Sequence, residues 1–139
     1  KPFFSANDKF FVDTLENSES QDDIFIKAEL NNFAISKKCL QNDELILIPL
    51  DILIIIKPLE NLPYEEVNIP LYVNLLDQND NVLEVQYFMI SALVKTHSET
   101  GVYIETDITD TLEVITNKFE VSQAVIGFMI DENKKELLN

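Results

Sequence analysis

No arginine occurs in this chain of 139 residues, so the planar donor fork that grips phosphates and carboxylates bidentately is missing. Ten lysines remain, as point charges, against 25 Asp and Glu, for a formal charge of −15. That balance repels phosphodiester backbones and anionic lipid surfaces, and it argues against nucleic acid as a partner. The two glycines, Gly101 and Gly127, are too few for a phosphate-cradling loop or a nucleophile elbow. One histidine, His97, and one cysteine, Cys39, stand at no recognised zinc-ligand spacing. A lone Cys forms no intramolecular disulfide, and its ordinary place is that of a small buried apolar residue. No apolar run reaches the roughly 18 to 20 residues of a membrane-spanning helix, since the longest is broken by Pro49 and Asp51. The chain opens Lys1-Pro2 without Met, which fits either a processed or a trimmed chain.

What the chain has in quantity is β-pattern. Every even position from Ile46 to Ile56 in LILIPLDILIII (45–56) is Ile or Leu, the period-2 signature of a strand with a buried face. The odd positions are apolar too, apart from Pro49 and Asp51, and Pro49 requires a bulge or a local sheet edge. Ile24, Ile26, Ala28 and Leu30 alternate in the same way, and a parity shift at Asn31-Asn32 predicts a bulge or turn. Ile69, Leu71, Val73 and Leu75 mark a further strand. The polar run Asp77-Gln78-Asn79-Asp80-Asn81 then predicts a hairpin turn into a strand over 82–94. Val102, Ile104, Thr106 and Ile108 predict a shorter strand with Tyr103, Glu105 and Asp107 on its solvent face. Phe119 to Ile130 predicts the last strand, and Asp131 can cap a short helix over ENKKELLN. Six or seven strands without a strong helix point to an all-β, antiparallel, immunoglobulin-like sandwich of about seven strands with a short C-terminal helical turn. A small barrel is the alternative. Residues 1–23 are expected as a lead-in able to hold an edge strand, and 24–139 as one sandwich domain.

Several groupings invite a chemical reading, and each has a plainer one. Asp77 to Asn81 places oxygen ligands as a calcium loop does, but Val82 stands where the turn needs Gly and Phe88 where a bidentate Glu belongs. Glu105 and Asp107, two residues apart on one strand face, could suit a glycosidase pair or a weak cation site, yet a solvated sheet face explains them. Tyr72, Tyr87, Phe88 and Tyr103 could line a ligand groove, although strand packing accounts for them as well. No catalytic, cofactor-binding or metal-binding residue is therefore assigned.

The segments Val67 to Phe88 and Ala124 to Asp131 resemble a family of uncharacterised alphaproteobacterial envelope lipoproteins, with a proline-aromatic strand, a hairpin and a late Gly-Phe strand leading into a short helix. Pro70 to Leu76, Asp77 to Leu83, Phe88 and Gly127-Phe128 occupy those places, and Cys39 matches a mid-chain Cys. The family's hairpin glycine is replaced here by Asn79, Asp80 and Asn81. The resemblance implies an exported domain of the bacterial envelope or periplasm, with any membrane anchoring ahead of residue 1. It brings no catalytic residue. The expected function is a non-enzymatic structural or protein-interaction module without a cofactor. The alternatives are a barrel-shaped carrier of small molecules or lipids, and an enzyme of unrecognised type using Glu105, Asp107 and His97.

Overall fold

The computed structural model describes residues 2–35 and 38–138. Among these, nine strands form: β1 Phe3–Ala6, β2 Phe10–Thr14, β3 Ile24–Ala34, β4 Leu40–Gln41, β5 Ile46–Pro58, β6 Glu66–Leu76, β7 Val82–Leu93, β8 Thr106–Thr116 and β9 Gln123–Phe128. They lie in two sheets, ordered β1-β9-β6-β7 and β2-β3-β5-β8, with β4 also paired to β5. All pairings are antiparallel except β1 with β9. The all-β sandwich expected from the alternation is what forms, closed by a short helix, α1, over Glu132–Lys135. Its strand order departs from the seven-stranded immunoglobulin pattern. There the chain changes sheets after the second strand; here β2, β3 and β5 follow one another within one sheet.

Alternation sets the core. Ile46, Ile48, Leu50, Ile52, Ile54 and Ile56 are all buried, facing Val67, Ile69, Leu71, Val73 and Leu75 of the opposite sheet, while Leu47, Leu53 and Ile55 are half-buried on the outer face. Pro49 needs no bulge. It faces Glu113 of β8 on one side, and on the other it falls between the end of β4 pairing at Leu47 and the start of β3 pairing at Asp51. The parity shift in β3 is a register slip between Leu30 and Asn32, as the Asn pair suggested.

One expectation is corrected. The strand expected over 102–108 begins only at Thr106 and continues to Thr116, eleven residues paired along β5. Val102 and Ile104 are exposed instead of inward, because 97–104 folds as a turn joined by a single Thr96–Tyr103 bridge. The Thr and Asp content of TDITDTLEVIT hid the strand. Two of its inward positions, Thr106 and Thr116, satisfy their hydroxyls: Thr106 donates locally to Ile104 O at 3.0 Å, and Thr116 donates to Glu84 Oε1 on β7 of the other sheet at 2.6 Å. At the N-terminal end, β1 and β2 supply an edge to each sheet, and Phe11, Val12 and Thr14 are buried.

The β6–β7 hairpin shows why Asp and Asn suit its tip. Asp80 adopts a left-handed φ of 64°, and Asp77 Oδ1 accepts the backbone N–H groups of Asn79 at 2.8 Å and Asn81 at 3.0 Å. These donors, Asn81 first, hold the Asp77 carboxyl below its ordinary value. A carboxylate with a depressed folded pKa stabilises above its unfolded value of about 4, and that stability is lost as pH falls through the folded value. Asp77→Asn should accordingly flatten the fall in melting temperature below about pH 4. An acid limb superimposable on that of the parent would remove Asp77 from the account.

Candidate interaction face

The outer face of the first sheet carries apolar side chains that nothing in the described structure covers. On β7, Tyr87, Met89 and Leu93 are 65%, 62% and 63% exposed, with Val85 beside them. The cause is a strand that is apolar at both parities: Phe88, Ile90 and Ala92 turn inward, so Val85, Tyr87, Met89 and Leu93 must turn out. Cross-strand pairing sets Tyr72 opposite Tyr87 and Pro70 opposite Met89, and Met129 follows the end of β9 on the neighbouring side. Tyr72, Asn74, Val85, Tyr87 and Met129 line an open groove of about 540 Å³ beside Asp8 and Asp131.

One side of this groove is held rigidly. The Tyr72 hydroxyl donates to Asp8 Oδ2 at 2.7 Å, and Lys135 Nζ lies 3.3 Å from Asp8 Oδ1, so one carboxylate ties β6 to the C-terminal turn. Partial burial, reinforced by the Asp8 carboxylate, raises the Tyr72 phenol well above its usual value and keeps it a donor. Asp131 caps α1 by accepting from Lys134 N at 2.9 Å, and the buried Lys134 ammonium donates to Asn17 Oδ1 at 2.5 Å. That bond staples α1 to the turn after β2.

β7 is also an open edge. It ends the first sheet, and its links to β8 pass through side chains: Gln86 Nε2 donates to Ile115 O at 2.9 Å, and Glu84 accepts from Thr116. Its twelve residues, VLEVQYFMISAL, include no Pro, Lys or Gly. Natural edge strands usually carry Pro or charged residues, above all Lys, to prevent pairing with another chain, and the single charge on β7, Glu84, is engaged by Thr116.

The remaining residues singled out from the sequence do not assemble into a site. His97 is exposed in the 97–102 turn, where its Nδ1 accepts from Glu99 N at 3.3 Å. Glu105 and Asp107 are exposed, with Glu105 outside the strand that was to present it. Of the four aromatics, Tyr72 and Tyr87 meet on the outer face, whereas Phe88 and Tyr103 pack against the core. Cys39 is a free, half-buried thiol against the core. Among the described residues, no group of three or more His, Cys, Asp and Glu could hold a metal ion, and no helix is long and apolar enough to cross a membrane. No protein-family model, curated protein or solved structure matches the chain.

Proposed function

We propose that this protein is a non-enzymatic interaction module of the bacterial envelope that receives an extended segment of a partner protein along β7. The observation that carries the reading is the twelve-residue open edge without Pro, Lys or Gly, flanked by outward Val85, Tyr87, Met89 and Leu93. An added strand would take main-chain hydrogen bonds from the edge and set alternate side chains on the apolar face. Charge selects the occupant. A surface at −15 repels a second copy of itself and favours a segment that alternates apolar with basic residues. Placement in the envelope rests on the resemblance of residues 67–88 and 124–131 to the lipoprotein family. The non-enzymatic reading is supported by the scatter of His97, Glu105 and Asp107 over exposed positions.

A ten-residue peptide of alternating Val and Lys serves as the probe. Saturable binding is expected, with slowed amide exchange in β7, and it should weaken at least tenfold in Tyr87→Lys and Met89→Lys, whose exposed sites leave the fold intact. Equal affinity in both variants, protection away from β7, or a concentration-dependent dimer of the protein alone would each overturn the reading.

A further inference from the structure

A second feature lies on the opposite side of Asp8. Four of the ten lysines, Lys9, Lys27, Lys57 and Lys135, line one cleft of about 690 Å³ between the second sheet and the C-terminal turn. A volume of that size falls in the range of small-molecule sites. Lys27 and Lys57 are direct cross-strand partners on β3 and β5. Like charges in that relation destabilise a sheet. In a chain with 25 acidic residues, carboxylates are available to neutralise such a pair, yet only Lys135 forms ion pairs among the described residues, with Asp8 and Glu132. Lys9, Lys27 and Lys57 form none with the described residues. The acidic residues of the cleft are Asp8, already engaged by Tyr72 and Lys135, and Glu29, which accepts from Asn31. Cations therefore dominate a local field inside an acidic molecule.

Apart from Asn7, the rest of the lining is apolar. Phe10, half exposed, and Leu138 stand beside the lysines, with Ile130 behind them. We infer that this cleft binds a single anionic amphiphile, its oxyanion head held between Lys27 and Lys57 and its hydrocarbon arm laid along Phe10 and Leu138. Without arginine the head is recognised by charge and not by a bidentate fork, so carboxylate and phosphate-monoester heads share the chemistry. A membrane surface is the less suitable source. At a Debye length of about 10 Å a lone head group meets chiefly the nearby lysines, whereas an anionic bilayer meets the whole negative molecule.

The test measures melting temperature and calorimetric binding with decyl phosphate and decanoate below their micellar concentrations. The controls are inorganic phosphate, uncharged decyl maltoside and phosphatidylglycerol vesicles. Either anionic amphiphile should bind saturably and raise the melting temperature. Lys27→Gln/Lys57→Gln should melt at the same or a higher temperature without ligand, because the like-charge contact is gone, and should bind at least tenfold more weakly. Phe10→Ser should weaken the amphiphile and leave inorganic phosphate unaffected. The proposal is overturned if the double variant binds as the parent does, if decyl maltoside or inorganic phosphate binds as tightly as decyl phosphate, or if only vesicles bind.

Discussion

Phe128→Ala should lower the unfolding free energy by about 3–5 kcal/mol, and Ile54→Ala by about 2–5 kcal/mol. Both side chains are fully buried, and they come from opposite sheets: Phe128 from β9 and Ile54 from the middle of β5. The Phe128 ring stands 5.6 Å from that of Phe11 on β2, so its loss opens a cavity where the two sheets meet the N-terminal edge. A neighbouring position supplies the contrast. Ile55, half-buried on the outer face and paired with Glu29 and Asp107, removes less surface from water, and Ile55→Ala should cost clearly less than Ile54→Ala. Denaturant midpoints at constant m-value measure all three. Equal losses at Ile54 and Ile55 would mean that the outer face of β5 is covered as well.

Why the core was legible and the surface features were not follows from what each depends on. A strand's inward face repeats every second residue within one segment, so Ile46 to Ile56 and Ile69 to Leu75 announced themselves without knowledge of their neighbours. The same holds for the Asp77–Asn81 turn and the Asp131 cap, whose hydrogen bonds close within four residues. β8 failed that test because its inward positions include Thr106 and Thr116, polar by type and buried with their hydroxyls bonded, Thr106 to the nearby Ile104 O and Thr116 to Glu84 of the other sheet. Which strands pair, and in what order, is not written in the period of any one strand. Both surface features depend on it. That Tyr72 meets Tyr87 requires the hairpin register, and that Lys27 meets Lys57 requires β3 and β5 to align across a bulge. The one sequence signal for the β7 face was present: VLEVQYFMISAL is apolar at both parities, more than a strand with one buried face needs.

Gly127→Ala should destabilise the protein by about 1–3 kcal/mol or more, a large cost for a single methyl. The reason is close approach, not backbone strain. An ideal Cβ on Gly127 would sit 2.5 Å from Asn7 O, 2.5 Å from the Tyr72 hydroxyl oxygen and 2.6 Å from Tyr72 Cζ. Tyr72 is the cross-strand partner of Gly127, and its ring covers the glycine. Neither neighbour can retreat cheaply. Asn7 N donates to Ile126 O at 2.9 Å and Phe128 N donates to Asp8 O at 3.0 Å, so residues 7 and 8 strap the β9 backbone on both sides of Gly127. Asp8 already occupies a left-handed φ of 46° while holding the Tyr72 hydroxyl and the Lys135 ammonium. A double-mutant cycle with Tyr72→Ala separates the two collisions. Removing the ring should relieve part of the Gly127→Ala penalty, and the clash with Asn7 O should retain the rest. If the penalty vanished completely in the Tyr72→Ala background, the strap over β9 would be looser than described, and Asp8 would not be fixing the wall shared by the aromatic face and the lysine cleft.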